Sequence, residues 1–443
     1  MASTLKKDNI DYIRFICYPK QRYGCSSNDK ERRKAMNKAK IKKILDDTAY
    51  IRTGGSKEEL KCAEYLKVLC EELGADTVIE PFSMQEADIK KEELLADGKK
   101  IEAKGYKNCG NADIEAPFYY MPSTDKASLE EACGKIVLID TGVTYWVFKD
   151  LYEAGAKGII TYNGDLNYRD SDIDQKELRA FVAEGKKLPC FNINAKDAVK
   201  LVKNGTKTIK MKLSQKEYER DSRNVVATIK GEREEYITFT AHYDSTPLSQ
   251  GAYDNMTGCI GLLGIMEELA KKTPKYSLKF IFCGSEERGL YGSKSYCIAH
   301  EKELEKCVLN INLDMIGSIM GKFIAVCSSE EKLKTYIEYD AAIKGFGMTA
   351  STGVYSSDST PFADRGIPAL SFARITKDSI APIHNRYDTK AVLSADQIAK
   401  DIDYIASFAL QMANAAALPV KREIPEDIKK KLDEYLNRKR KEN

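Results

Sequence analysis

The sequence lacks several features that would assign it to common protein classes. It has no run of about eighteen apolar residues and no apolar segment near its first residue, so we expect neither a membrane partner nor a secretion signal. Its twelve cysteines form no Cys-x-x-Cys pair, and most stand in apolar strand or helix contexts. Free buried thiols are typical of a reducing compartment, so we predict a cytoplasmic protein. A serine hydrolase is disfavoured, because there is no Gly-x-Ser-x-Gly motif.

The charge is nearly balanced, with 70 Lys and Arg against 67 Asp and Glu and a formal net charge of +3. This balance argues against nucleic acid as the main partner. A length of 443 residues with 43% hydrophobic content is enough for more than one domain with packed cores.

Histidine is scarce, since the chain has only His242, His300 and His384. His242 directly follows residues 236–241, which are rich in β-branched and aromatic residues and predict a strand. His384 comes after another strand-like segment, residues 367–372. His300 stands in a polar run with no motif around it, and we interpret it as structural.

Carboxylates also follow predicted strands. Glu286 and Glu287 come after residues 277–283, Asp314 follows a further strand, and Asp254 stands in a turn before an amphipathic helix. Alternating strands and helices predict parallel strands, whose carboxyl ends meet at one edge of the sheet. Carboxylates crowded together repel one another, so the cluster needs cations or strongly raised pKa values. The sequence therefore predicts a metal pair at this edge.

Five segments resemble, in order and spacing, the M28 family of co-catalytic zinc peptidases. They are His242-Tyr-Asp244, Gly251-Ala-Tyr-Asp254-Asn255, Gly284-Ser-Glu286-Glu287, Asn312-Leu-Asp314-Met-Ile-Gly317 and His384. The resemblance implies an α/β fold of the zinc-exopeptidase type, with a mixed, mostly parallel sheet flanked by helices. It also implies two zinc ions per chain and a peptide substrate.

The same resemblance implies the metal ligands. One zinc would take His242, Asp254 and Asp314, and the other would take Asp254, Glu287 and His384. Asp254 would bridge the two ions, and we expect unusual backbone geometry at Asp254 and Asn255, including a cis peptide as in relatives. Imidazole and carboxylate donors suit zinc, and three protein ligands per ion leave room for a shared water.

Two further residues are implied to act in catalysis. Glu286 would be the general base that takes a proton from the metal-bridging water or hydroxide and delivers it to the leaving amine. Asp244 would orient the histidine two residues before it. The family often has an aromatic residue at the position of Ile383, where it helps to hold the oxyanion, so we expect Tyr387 or Arg386 to replace it.

The resemblance extends outside the metal motifs. Gly134-Lys-Ile-Val and Ala154-Gly-Ala-Lys-Gly158 resemble a protease-associated (PA) domain, which in the family commonly caps the active site; a simple spacer is the alternative. The predicted division is 1–85 as the N-terminal part of the catalytic domain, 86–215 as an inserted α/β PA domain, 216–420 as the catalytic domain with the metal site, and 421–443 as a basic C-terminal helix or tail. Such a lysine-rich helix is typical of a solvated face or of an arm between subunits, so a homo-oligomer is one expectation.

Helices are predicted within residues 31–74. Ser56 followed by Glu59 is a capping box that marks the start of the second helix. The stretch from Arg52 to Ser56 resembles the segment that opens M28 catalytic domains.

The leading functional hypothesis is an aminopeptidase. A dipeptidase or carboxypeptidase of the same family stays open, with Arg374 or Arg386 available to hold a substrate carboxylate. A glutaminyl cyclase would use a single zinc and as a rule lacks a PA insertion, and a receptor-like homologue would have no activity.

Overall fold

The computed structural model describes residues 36–166 and 173–440. Predictions for residues 1–35, 167–172 and 441–443 lie outside the described residues. The helices are α1 (Lys38–Asp47), α2 (Lys57–Glu72), α3 (Lys126–Glu131), α4 (Tyr145–Glu153), α5 (Ala180–Ala183), α6 (Ala195–Lys203), α7 (Thr257–Leu269), α8 (Tyr291–Ala299), α9 (Glu331–Ile343), α10 (Thr360–Ala363), α11 (Ala395–Asn414) and α12 (Glu426–Tyr435). The strands are β1 (Asp76–Ala96), β2 (Lys99–Ile101), β3 (Ala103–Gly105), β4 (Ala112–Met121), β5 (Ile136–Ile139), β6 (Gly158–Asn163), β7 (Cys190–Asn194), β8 (Thr208–Ile229), β9 (Arg233–His242), β10 (Tyr276–Cys283), β11 (Cys307–Leu313), β12 (Lys322–Ser328), β13 (Thr349–Thr352) and β14 (Ala369–Ile375).

The catalytic part of the sheet is built around β9. This strand lies between β10 and β11 and is parallel to both, and β11 is parallel to β14 in turn. Beyond them β12 is antiparallel to β14. Most of β9 is buried, as expected for a central strand covered by helices on both faces. The predicted mixed, mostly parallel sheet is therefore confirmed.

A long antiparallel ribbon connects this sheet to the predicted insertion. β1 and β8 pair from Asp76 opposite Thr228 to Ala96 opposite Ile209. β8 also pairs with β10 near its end and with β4 near its start. A second hydrophobic core, separate from the catalytic one, lies between residues 94 and 213. The predicted borders at 85/86 and 215/216 lie within the ribbon, so both strands run through them, and the PA identity stays a prediction.

The capping residue predicted at Ser56 is confirmed. Its hydroxyl accepts a hydrogen bond from the Glu59 amide at 3.0 Å. The buried Glu59 carboxylate accepts from the Gly55 amide at 2.8 Å and from the Ser222 hydroxyl at 2.6 Å. Because Ser222 lies on β8, the start of α2 is fastened to the ribbon.

The C-terminal helix is less exposed than its lysine content suggests. Ile428 and Leu432 on α12 are buried with Ala363 and Ala369 of the catalytic part. The helix is therefore docked on the chain through one face, and only its other face fits the predicted solvated helix. None of the described helices is long and apolar enough to span a membrane.

Arg52 is fully buried and ties the chain before α2 to the loops that follow β9. Its guanidinium donates hydrogen bonds to five backbone carbonyls. These belong to Thr48, Tyr50, Tyr243, Gln250 and Gly251. Gln250 and Gly251 directly precede the turn over residues 252–256, so Arg52 fixes the position from which that turn starts.

We predict that Arg52→Ala strongly destabilises the fold. Each buried carbonyl left without a donor costs about 1–3 kcal/mol, so we expect the free energy of unfolding to fall by at least about 3 kcal/mol. Urea unfolding in the presence of a chelator measures this without a contribution from bound metal. Arg233→Ala is the control, because Arg233 donates to a single exposed carbonyl, that of Ala416. Equal losses for the two variants would contradict the role given to Arg52.

Candidate metal centre

The predicted ligands come together where the parallel strands end. β9 ends at His242, and the chain after β11 continues into Asp314. The turn over Ala252–Met256 carries Asp254, and the loop after β14 carries His384. With Glu286 and Glu287, which follow β10, they line one cavity of about 900 Å³. The structure therefore brings together all five predicted ligands and the predicted base.

Asp254 lies between the two imidazoles. Its Oδ1 is 3.1 Å from Nε2 of His242, and its Oδ2 is 3.1 Å from Nε2 of His384. Nε2 of His384 is also 3.1 Å from Oε2 of Glu287, and Nε2 of His242 is 3.6 Å from Oδ1 of Asp314. The geometry is that of two half-sites that share Asp254.

The donor atoms fit metal ions. Oε1 of Glu287 and Oδ1 of Asp314 are buried and accept no hydrogen bond from the described part of the chain. One donor atom from each of His242, Asp254 and Glu287 lies within 4.8 Å of the others. Buried carboxylate oxygens without hydrogen-bond donors are costly unless a cation is present, so these residues are suited to hold zinc. The predicted cis peptide is confirmed at Asp254–Asn255.

Burial and mutual repulsion set the protonation of the cluster. Burial, with Asp254 nearby, raises the pKa of Glu287 to about 7. Burial also raises the pKa of Glu286 well above its ordinary value, and Glu287 adds to the shift while His242 opposes it. Burial alone would raise the pKa of Asp254, but hydrogen bonds from His242 and His384 hold this pKa well below the ordinary range. Asp254 is thus held in its ionised form, in contrast to Glu286 and Glu287.

Asp244 holds the loop that carries Glu286, the predicted base. Its Oδ1 accepts the Glu286 amide at 2.9 Å, and its Oδ2 accepts the Glu287 amide at 3.3 Å. Oδ1 is also 3.5 Å from Nδ1 of His242. Asp244 therefore faces the histidine, as its predicted orienting role requires, and that role stays a prediction. Its contact with the Glu286–Glu287 backbone was not anticipated from the sequence.

Asp388 supports the turn that carries Asp254 in the same way, and the sequence analysis missed it. It is buried, and its carboxylate accepts the Tyr253 amide at 2.7 Å and the Asp254 amide at 3.2 Å. Burial raises its pKa to about 6, and the negative charge of Asp254 adds to this. Asp388 lies four residues after His384, so one loop supplies both a ligand and a support. The closeness of Asp388 to His384 in the sequence could have identified it as a candidate site residue.

Tyr355 is a second residue that the sequence analysis missed. It lines the cavity, and its hydroxyl is buried without a hydrogen-bond partner in the described part of the chain. The nearby negative charges of Asp314 and Asp254 add to burial in raising its pKa well above the ordinary value. Tyr387, predicted as a replacement for the family's aromatic residue, is 56% exposed and is not among the described residues that line this cavity.

The predicted insertion contacts the loop that carries Glu287. Arg179 donates to the Glu287 carbonyl at 2.8 Å. The next residue, Arg288, forms a two-pronged ion pair with Glu177 and a further one with Glu86 at 3.1 Å. Arg288, Glu177 and Glu86 are largely buried, with 4–15% of their side-chain surfaces exposed. The insertion is thus attached directly to the metal-ligand loop.

Residues 224–409 match the sequence profile of Peptidase family M28. This segment, which contains all five predicted ligands and Glu286, is therefore similar to the M28 peptidases. Over 337 residues it is 29% identical to Aminopeptidase YwaD of Bacillus subtilis (strain 168), which covers 72% of this chain and 71% of that protein.

Other relatives agree with this family. Leucine aminopeptidase 2 of Arthroderma otae is 32% identical over 193 residues, which cover 42% of this chain and 37% of the relative. Among solved structures, BSAP, a zinc aminopeptidase from Bacillus subtilis, has a TM-score of 0.72 at 25% identity and covers 89% of this chain and 98% of its own. The M28 match begins within β8, so the predicted insertion lies outside it.

We predict that His242→Ala and Asp314→Ala each lower the zinc content of the purified protein, because each removes a donor from the same half-site. Metal analysis after dialysis against zinc measures the change. His300→Ala is a matched control, since His300 also lies between two carboxylates, 2.9 Å from Glu80 and 3.1 Å from Glu303, but does not line the cavity. A comparable loss of zinc in the His300 variant would contradict the assignment.

Proposed function

We propose that this protein is a dizinc aminopeptidase, which removes residues from the N-terminus of peptides. The observation that carries the proposal is the pair of half-sites that share Asp254. Two half-sites favour two metal ions over the single zinc of a glutaminyl cyclase. The presence of every predicted ligand and of Glu286 in one cavity favours an enzyme over a receptor-like homologue.

Zinc ions bound here would supply Lewis acidity that polarises the scissile carbonyl and makes water a better nucleophile at neutral pH. Glu286 lines the cavity without belonging to either pair of short imidazole contacts, and its nearest imidazole atom is Nε2 of His242 at 3.9 Å. Its carboxylate would accept a proton from water and then give it to the leaving amine nitrogen. A raised pKa suits this role, because a general base works best with a pKa near the working pH.

Two further groups support the reaction. The Tyr355 hydroxyl, which has no partner in the described part of the chain, would donate a hydrogen bond to the oxygen that becomes negative in the transition state. Asp244 would accept hydrogen bonds from the Glu286 and Glu287 amides and so fix the positions of the base and the ligand relative to each other.

A carboxypeptidase receives no support from Arg374. Its guanidinium forms a two-pronged ion pair with Asp401, at 2.6 and 2.8 Å, and among the described residues it is not part of the cavity lining. It is therefore not free to hold a substrate carboxylate.

A cytoplasmic location and homo-oligomerisation are also part of the proposal. The described cysteines are free thiols and, except for Cys133, buried, which supports a reducing compartment. Oligomerisation rests only on the basic C-terminal helix. Size-exclusion chromatography with light scattering would measure the oligomeric state.

The activity is tested with amino-acid p-nitroanilides that carry either a free or an acetylated amine. We expect hydrolysis of the free amines alone, its loss after exhaustive chelation, and its return with zinc. N-acylated dipeptides with a free carboxylate serve as the carboxypeptidase control. Cleavage of these instead, or full activity after chelation, would contradict the proposal.

We predict that Glu286→Gln and Glu287→Gln fail for different reasons. Glu286→Gln keeps the shape but removes the base, so kcat should fall by about 10²–10⁴-fold with KM and zinc content little changed. Glu287→Gln removes a ligand charge, so it should lose zinc and recover partly in excess zinc. Steady-state kinetics and metal analysis on the two variants measure this. Equal zinc loss in both, or a Glu286→Gln enzyme with more than about a tenth of normal kcat, would reverse the two assignments.

A further inference from the structure

The end of the chain crosses the catalytic cavity. Three residues at and just after the end of α12, Tyr435, Leu436 and Asn437, line the same cavity as the metal cluster. Each is half-buried. No sequence pattern predicts this position, because the C-terminal region is rich in lysine and has none of the metal motifs.

This segment is fastened to the catalytic part of the chain. The Tyr435 hydroxyl lies 2.7 Å from the Ser356 hydroxyl, next to the cavity-lining Tyr355. Arg438 forms a two-pronged ion pair with Asp364, at 2.6 and 2.7 Å. Two-pronged pairs of this kind fix orientation as well as distance, so the backbone between Tyr435 and Arg438 has a defined course.

The segment is also fastened to the predicted insertion. Arg440 pairs with Asp150 of α4, and its guanidinium lies 4.7 Å from the centre of the Trp146 ring. Residues 435–440 therefore run from the catalytic part to the insertion, with attachment points on both. A segment held at both ends across an opening forms a wall of that opening.

The cavity bordered by this wall has a volume of about 900 Å³. Pockets of about 300–1,000 Å³ enclose ligands of drug size, which corresponds to a peptide of a few residues. The insertion forms another wall, through Asp174, Glu177 and Arg179. A longer peptide with its first residue at the metal cluster would extend along these walls, which contain Leu436 on one side and Arg179 on the other.

We propose that residues 435–440 are a strap that restricts this enzyme to short peptides, with Leu436 as the side chain that sets the limit. The proposal rests on the aminopeptidase function proposed above and names its substrate class. Leu436 is the apolar side chain of the strap that lines the cavity. A smaller or larger side chain at this position alters the space for the peptide and leaves the contacts of Tyr435, Arg438 and Arg440 in place.

The test compares a tripeptide with a long peptide that begins with the same three residues. For the double variant Arg438→Ala and Arg440→Ala, which releases the strap, we expect the ratio of kcat/KM for the long peptide to that for the tripeptide to rise about tenfold, equivalent to about 1.4 kcal/mol. Leu436→Ala should raise the same ratio, and Leu436→Trp should lower it. Zinc content should stay normal in all of them, because none removes a ligand.

Lys306→Ala is the control, since it removes an exposed ion pair with Glu234 that does not line the cavity, and it should leave the ratio unchanged. An unchanged ratio in the released and Leu436 variants would overturn the strap, as would an equal loss on both substrates. A change confined to the preferred N-terminal side chain would also overturn it. Failure of the function itself looks different, because the unmodified enzyme would then release the N-terminal residue from neither peptide.

Discussion

Repulsion among buried carboxylates is the constraint on which the rest of this structure depends. Asp254, Glu286, Glu287 and Asp314 face one cavity, and the only imidazoles among them are His242 and His384. Both imidazoles favour their protonated form here. Burial lowers their pKa values, but neighbouring carboxylates raise them more: chiefly Glu286 for His242, and chiefly Glu287 for His384, whose pKa rises to about 11. Without metal, the protein thus balances its carboxylates with imidazolium charge. Zinc would displace those protons and supply the charge itself, so metal affinity should depend on proton release.

Such a cluster requires loops that cannot relax away from one another. Three buried side chains hold these loops through hydrogen bonds to their backbone. Arg52 fixes the carbonyls before the Asp254 turn, Asp388 accepts two amides within that turn, and Asp244 accepts the two amides at Glu286 and Glu287. Hydrogen bonds between charged side chains and backbone are stronger than neutral ones and leave the ligand side chains free for metal. Repulsion is therefore resisted by the backbone, and the ligands keep their geometry.

The sequence predicted the part of this arrangement that is local. Strand ends followed by His or carboxylate are visible within a few residues. The mixed sheet, and the meeting of Glu286 and the five predicted ligands in one cavity, could therefore be predicted from pattern and resemblance. Supports such as Arg52 and the Arg288–Glu177 pair join residues more than a hundred positions apart, and no short pattern shows them. The course of residues 435–440 was not predicted, because the lysines of α12 indicate its exposed face and do not show that Ile428 and Leu432 are buried on the other.

The cavity is consequently a product of three separate parts of the chain. The catalytic sheet supplies the metal cluster, the region between β1 and β8 supplies Glu177 and Arg179, and the C-terminus supplies Leu436. The ribbon of β1 and β8 lets the second part extend from the sheet without interrupting β9, β10 and β11, which carry the ligands. Moving that part away would break the largely buried pair between Arg288 and Glu177. Arg288 directly follows Glu287, a predicted ligand. The Arg288–Glu177 pair therefore fixes both the wall formed by the insertion and the loop that carries Glu287. A change in the size of the cavity would thus also change the geometry of the predicted metal centre.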